Sequence, residues 1–349
     1  MPSAPVKTHH VGMTDHRLVL GIDAGGTATR AVVTGLDGEL LGSGRAGGGN
    51  PTTHGQPAAR AQLAAALADA LREVDPADVV GGVAGIAGGL AFSPSVLEAV
   101  WREAGLGCVP RPEGDALIAF VAGTPQSSGT LLLSGTGAIA CRVTDGTAEA
   151  WSDGLGWLLG DEGSGFWLGR SAARTVVHDL TRPDGTPPGL LAELVMAELL
   201  GTPRSFRDLN DQAFALVARA QADPQSLTRL APAVNRAAEA GDPRALEIVR
   251  EGARLLVATA ARVHRPQGPI VLAGSVLTSE GPLRSAVQEL LGERWDTPVR
   301  TAGSGAGAAA WLAAGEVLNP VREAEHISLH AKFTGGNPPV PALTPFLPA

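Results

Sequence analysis

Short apolar runs punctuated by glycine recur along the chain. Leu18, Val19, Leu20 and Ile22 form one such run, which ends in a lone acid, Asp23, followed at once by Gly25, Gly26 and Thr27. A short apolar run closed by paired glycines predicts a buried strand entering a tight turn, with Ala31 to Gly35 as the returning strand. A third strand is expected over Glu39 to Arg45, after the Asp37-Gly38 turn. Gly47-Gly48-Gly49-Asn50-Pro51 predicts a loop. The Ala- and Leu-rich stretch from Ala58 to Val74 predicts a helix. Val79 to Ile86 predicts a buried strand running into Ala87-Gly88-Gly89. Then follow a helix over Ser93 to Ala104, a short strand over Cys108 to Arg111, and a helix over Ala116 to Ala122 opened by Glu113-Gly114-Asp115. This order of strands and helices predicts a mixed sheet with helices on both faces.

The plan then repeats. Thr130 to Val143, TLLLSGTGAIACRV, echoes LVLGIDAGGTATRAVV, with a run of apolar residues, a Gly/Thr turn and a second strand ending near an arginine. The offset of roughly a hundred residues is close to one domain. From Phe166 to about His264 the pattern is mostly helical. A strand over Pro269 to Ala273, a helix over Gly281 to Leu291, a strand near Val299 and a Gly/Ala-rich helix over Gly305 to Ala314 complete a second α/β unit. The expected organisation is an N-terminal tail at 1–16, a first domain at 17–121, a second domain at 122–318 whose last helix can pack back on the first, and a Pro-rich C-terminal segment at 319–349.

Composition narrows the function. A chain of 349 residues holds two ordinary domains with real cores. The net charge of −8 and the absence of a basic cluster argue against nucleic acid, and few aromatics leave no stacking platform. No uncharged apolar run reaches about 18 residues, which argues against a membrane span. The N-terminal sixteen residues lack the apolar stretch of a signal peptide, so a cytoplasmic location is expected. Cys108 and Cys141 lie in apolar segments and read as small buried hydrophobes in a reduced compartment. His9, His10 and His16 read as solvated tail residues. The only lysines are Lys7 and Lys332, in the end segments. A P-loop needs a Gly-Lys-Ser/Thr end, and a protein kinase needs a strand lysine, so lysine-based nucleotide sites are excluded from the body.

The residues still offer phosphate chemistry. A glycine hairpin presents backbone N–H groups, a threonine hydroxyl and a carboxylate together, suited to phosphate oxygens and to hydrated Mg²⁺ at Asp23. Asp115 follows Gly114 at a helix start, where the helix dipole favours an acid; it is the candidate general base, against the plainer reading of a capping aspartate. Gly160-Asp161-Glu162-Gly163-Ser164-Gly165 places two adjacent acids among glycines, which is expensive inside a core unless they bind something. Asn50 carries an amide that both donates and accepts, as sugar hydroxyls require, although Asn before Pro also forms turns.

Taken in order, GIDAGGTATR, GGGNPT, GDALIAF, LLLSGTGAIACRV, GLGWLLGDEGSGFWLG, VLAGSVL and AGSGAGAAA resemble the actin-like ATPase superfamily shared by sugar kinases and actin. More narrowly they resemble the N-acetylglucosamine kinase branch of the BadF/BcrA-type ATPases, over residues 18 to 315. The resemblance implies two actin-like, ribonuclease H-like α/β domains with mixed five-stranded sheets flanked by helices and a cleft between them. It implies ATP, with Gly25, Gly26 and Thr27 as the first phosphate loop and Thr136 and Gly137, in Ser134 to Gly137, as the second. Asp23 would hold Mg²⁺ through water, and Gly274, Ser275 and Gly305 would flank the adenosine. It implies Asp115 as base, and Asn50, Asp115, Gly137 and Asp161 as sugar contacts. Glu162 is either a further sugar contact or a structural acid capping the helix. A homodimer is implied too.

The expected reaction is transfer of the ATP γ-phosphoryl group to the 6-hydroxyl of a hexosamine, N-acetylglucosamine first, with glucosamine, glucose or N-acetylmuramate as alternatives. One departure bears on that choice. The family's Gly-Gly-Trp-Gly reads Asp153-Gly154-Leu155-Gly156-Trp157 here, so its tryptophan is displaced to Trp157, which either stacks on a sugar face or plugs the core. A remoter alternative, an ATP-driven activator of a radical dehydratase, needs paired cluster-ligating cysteines in glycine contexts, which this chain lacks.

Overall fold

The computed structural model describes residues 16–88, 92–182, 188–201, 208–318 and 323–335. The N-terminal tail up to residue 15, Gly89, and the proline-rich stretch beyond residue 335 lie outside the described residues. The chain forms two compact units, Met1–Pro112 with Ala309–Phe333, and Glu113–Ala308 with Thr334–Ala349.

The first unit is built on β1 (Leu18–Ala24), β2 (Thr29–Gly35), β3 (Leu40–Ala46), β4 (Val79–Ile86) and β5 (Pro110–Gly114), in the order β3-β2-β1-β4-β5. β2 pairs antiparallel with both β1 and β3, and β4 pairs parallel with β1. Strand β1 sits at the centre, and Val19, Leu20 and Ile22 are wholly buried, as an unbroken apolar run requires. Between β3 and β4 lie a four-residue helix, α1 (Pro51–His54), and α2 (Gln56–Ala70). Ala59, Leu63, Ala66, Leu67 and Ala70 bury one face of α2 at the i, i+4, i+7 spacing. Fully burying each leucine contributes about 1.5–3 kcal/mol. Helix α3 (Pro94–Glu103) buries Leu97, Val100 and Trp101 in the same core.

The second unit opens with α4 (Asp115–Val121), which packs on its own sheet. That sheet contains β6 (Gly129–Ser134), β7 (Ala138–Thr144), β8 (Thr147–Asp153), β9 (Ile270–Ala273) and β10 (Val299–Thr301), in the order β10-β9-β6-β7-β8. Read from its other edge, it repeats the first: two antiparallel pairings, a central apolar strand, then parallel neighbours. The intervening helices are α5 (Gly165–Leu180), α6 (Leu190–Leu200), α7 (Leu209–Ala222), α8 (Ala231–Glu239) and α9 (Pro243–Ala261). They enclose a core running from Leu132 and Phe166 to Leu256. The buried Asp242 caps α9 by accepting from Arg244 N and Ala245 N, and it also accepts from Leu191 N at the start of α6.

After α10 (Ser275–Thr278) and α11 (Pro282–Arg294) the chain enters α12 (Gly305–Val317), which re-enters the first unit at Ala309. Four differences from the sequence reading stand out. The unit boundary falls at Pro112, ahead of Asp115, rather than at residue 121, because α4 packs on β6 and β9. Strand β5 begins at Pro110, so Cys108 precedes it instead of lying in it. Strand β8 is an extra edge strand. Finally, the segment read as a Pro-rich tail contains α13 (Glu323–Thr334), whose His326, His330 and Phe333 ring the indole of Trp311.

Candidate active site

In the first unit, Asp23 is the penultimate residue of β1, half-buried, opposite Arg30 on β2 and Gly85 on β4. The turn that follows closes with Gly25 N donating to Ala28 O at 3.0 Å. Its carbonyls face inward: Gly25 O accepts from Gly49 N at 2.9 Å, and Gly26 O accepts from His54 Nε2 at 2.7 Å. A carbonyl only accepts, so His54 carries its proton on Nε2 here. With both carbonyls tied, the N–H groups of Gly26 and Thr27 have no backbone acceptor among the described residues, and both residues are exposed. Asn50 caps α1, its Oδ1 accepting from Thr52 N at 2.8 Å. That bond uses one of the amide oxygen's two lone pairs, so turn-forming and ligand-binding are compatible in one side chain.

The second unit repeats this construction with different supports. Gly135 N donates to Gly137 O at 2.9 Å, Gly135 O accepts from Gly165 N at 2.7 Å, and Thr136 O accepts from Phe166 N at 3.4 Å. Ser134 Oγ donates to Gly163 O at 3.0 Å. The N–H groups of Thr136 and Gly137 are again left without a backbone acceptor among the described residues. Gly274, at φ +80°, fits against Ser134 O, where a side chain would collide, and Ser275 N lies 3.9 Å from the position a Cβ on Gly135 would take. Gly274, Ser275 and the hairpin therefore meet. Gly305 starts α12 behind them: Ser304 Oγ caps it by accepting from Gly307 N, and Gly303 N donates to Ala122 O after α4.

The acidic loop is held from two sides. Asp153 ends β8, and its carboxylate accepts from Asp161 N at 2.7 Å and from Glu162 N at 2.9 Å. Asp161 Oδ1 in turn accepts from Ala138 N at 3.2 Å, and both its oxygens stand about 3 Å from where a Cβ on Gly137 would lie. Asp153 and Asp161 both adopt left-handed backbone, at φ +64° and +57°, which Asp tolerates better than most residues. Hydrogen bonds to a charged acceptor contribute about 1.5–3 kcal/mol each and offset that strain, of order 1–3 kcal/mol per residue. Desolvation raises the Asp161 pKa above the usual carboxylate value; the Ala138 N–H opposes this and the charge of Asp153 adds to it.

Glu162 does not cap α5. That role belongs to Ser164, whose Oγ accepts from Trp167 N at 3.1 Å. Trp157 does not plug the core either: it is 41% exposed, with its ring 5.0 Å from that of Phe166.

Asp115 is the first residue of α4, with Gly114 as the cap position. It remains reachable from solvent, yet its surroundings desolvate it enough to raise its pKa, against the opposing N–H of Ala116. The sequence reading overlooked Asp153 and His54. An Asp-Gly pair ending an alternating stretch was the one available signal for Asp153, and His54 had none.

The donor set also bears on Mg²⁺. Among the described residues no group of three or more His, Cys, Asp or Glu side chains could cage a metal. Asp23 beside a loop of open N–H groups instead fits the way Mg²⁺ is usually held, by one or two carboxylates, water and substrate phosphates. Among the described residues no helix is long and apolar enough to cross a membrane.

The chain is similar to several known proteins. The N-acetylmuramic acid/N-acetylglucosamine kinase of Clostridium acetobutylicum is 25% identical over 245 residues, covering 69% of this chain and 77% of that protein. A candidate N-acetylglucosamine kinase from Chromobacterium violaceum superposes with a TM-score of 0.64 at 25% identity, covering 85% of this chain and 99% of that one. A second, from Porphyromonas gingivalis, gives 0.62 at 20% identity, covering 90% and 98%. Residues 20–313 match the BadF/BadG/BcrA/BcrD ATPase family, and the chain belongs to that family.

Proposed function

We propose that this protein is an ATP-dependent sugar kinase that transfers the γ-phosphoryl group of ATP to the 6-hydroxyl of a hexosamine, with N-acetylglucosamine as the first candidate. The observation that carries this reading is the pair of glycine hairpins. Each has its carbonyls tied inward and two backbone N–H groups left open. Two such loops supply phosphate donors from the backbone alone; the one lysine among the described residues, Lys332, lies in the last turn of α13 rather than in a tail. The relatives support the sugar: the Clostridium acetobutylicum protein is a kinase for N-acetylmuramic acid and N-acetylglucosamine.

In this reading Gly26, Thr27, Thr136 and Gly137 receive the phosphates, and Gly274, Ser275 and Gly305 line the adenosine. Asp23 would hold Mg²⁺ through water, and the ion would neutralise charge on the phosphates. Asn50, through its amide NH₂, and Asp161, through its second oxygen, hold sugar hydroxyls; Glu162 and the exposed ring of Trp157 are further candidate contacts. Asp115 orients the acceptor hydroxyl and takes its proton at the carboxylate as the new P–O bond forms. Positioning and charge neutralisation do most of the catalytic work, so a carboxylate suffices as base.

Cys141 is buried with its thiol pKa pushed up to about 12, and burial also raises that of Cys108. Cys141 lies inside β7 and Cys108 ahead of β5, not in the paired glycine-flanked setting a bridging iron–sulfur cluster needs, which counts against the dehydratase-activator alternative.

The test is an ADP-release assay across N-acetylglucosamine, glucosamine, glucose and N-acetylmuramate, with the phosphorylated position read by NMR. Sugar-stimulated ADP release with a 6-phosphate product is expected. ADP release indifferent to every sugar overturns the reading.

A further inference from the structure

We propose that Asp153 is a positioning residue for acceptor recognition: its carboxylate fixes the backbone of the acidic loop and thereby sets where the Asp161 carboxylate stands. This rests on the reading of Asp161 as an acceptor contact. The geometry is a closed circuit of hydrogen bonds. Asp153 Oδ1 accepts from Asp161 N and its Oδ2 from Glu162 N, so one carboxylate holds two successive amides. Asp161 Oδ1 accepts from Ala138 N, the residue that ends the second hairpin, and Gly154 N donates back to Ala138 O at 2.9 Å. The loop that leaves β8 and the loop that leaves β6 are thus joined at Ala138 from both directions.

Two details show that the circuit depends on the carboxylate itself. Gly160 lies so close to Asp153 Oδ1 that no side chain fits there. Asp161 is held at φ +57°, which Asp tolerates but does not require, so the two amides bound by Asp153 help to fix its backbone there. The carbonyls of the phosphate hairpin are held directly by Gly165 N and Phe166 N, whereas Asp153 reaches the hairpin only indirectly, through Asp161 and Ala138 N. Loss of Asp153 should disturb the acceptor side and spare the nucleotide side.

The experiment compares full-length wild type with D153A and D153N. Amide exchange at Asp161 and Glu162 reports the tie, and steady-state kinetics report KM for sugar and for ATP separately. Asn keeps one acceptor oxygen but replaces the other with a donor facing Glu162 N, so D153N should give a partial effect even if D153A fails to fold. Expected are faster exchange at both amides, a fall of about tenfold to a hundredfold in kcat/KM for the sugar, carried by KM, and an ATP KM within about threefold of wild type. A sugar KM that is unchanged, or an ATP KM that rises in step with it, overturns the proposal. A wild-type protein that phosphorylates no sugar overturns the underlying functional reading, and the exchange measurement then still reports whether the tie exists.

Discussion

The two glycine hairpins share a backbone and differ in what stands behind it. In the first, Gly25 O accepts from Gly49 N; in the second, Gly135 O accepts from Gly165 N. Each time, the carbonyl of the first residue beyond the strand is taken by an amide from the glycine-rich loop ahead of the next helices. Behind the first hairpin the support carries no carboxylate: it is the ring of His54 and the cap made by Asn50. Behind the second it is anionic, the paired Asp153 and Asp161. The repeated part is what any phosphate needs, and the divergent part is where an acceptor would be distinguished. The two hairpins share the donor geometry and differ in their side-chain supports.

The strongest test of that division is Asp115, which belongs to neither hairpin. Asp115→Asn should lower kcat by about 10²–10⁴-fold while leaving sugar binding nearly intact, measured by turnover and by calorimetric titration. Because desolvation raises the Asp115 pKa, the ionised, active form should disappear as pH falls through a value above the ordinary carboxylate range. The acid limb of the wild-type rate profile should sit correspondingly high. The sign for stability is opposite. A raised carboxyl pKa contributes stability below its unfolded value and loses it as pH rises through the folded one. At neutral pH the charged Asp115 is a cost, so Asp115→Asn should raise the melting temperature.

A smaller effect separates the hairpins directly. A Cβ on Gly26 meets nothing within 4 Å, whereas one on Gly137 comes within about 3 Å of both Asp161 oxygens. Gly26→Ala should leave the melting temperature unchanged and alter ATP kinetics alone. Gly137→Ala should also raise the sugar KM, by roughly tenfold, because Asp161 must move. Equal effects of both variants on sugar KM would erase the distinction. Smallest of all, Asp23→Ala should shift the Mg²⁺ concentration for half-maximal rate upward by about tenfold, as expected for one water-mediated carboxylate among several ligands. An unchanged Mg²⁺ titration removes Asp23 from the metal site.

Much of this was legible in the sequence, for identifiable reasons. Leu18 to Ile22 and Leu131 to Leu133 are apolar runs central to their sheets, and burial on both faces makes such strands conspicuous. The glycine turns marked themselves. Strand β8 was not legible, because Thr147 to Asp153 is an edge strand that alternates small alanines with exposed Glu149 and Trp151 and carries no β-branched core residue. Helix α13 was hidden by the prolines that follow it, and its anchor, Trp311, is far off in sequence from any strand it serves. The tie made by Asp153 is a backbone contact across a loop with left-handed residues, which residue type alone does not announce.

The return of α12 and α13 to the first unit has a consequence for the order of assembly. Residues 309–333 complete a core whose other parts end at Pro112. Ala313 O and Val317 come within 4 Å of the place a Cβ on Gly81 would occupy, so α12 closes over β4. On the ribosome, residues 113–308 of the second unit therefore emerge before the first can finish. The earlier half of the chain waits, with one flank of its sheet uncovered, for the last helices made. The unit that starts the protein therefore completes only when the chain is nearly finished, and truncation anywhere before α12 would leave that flank open.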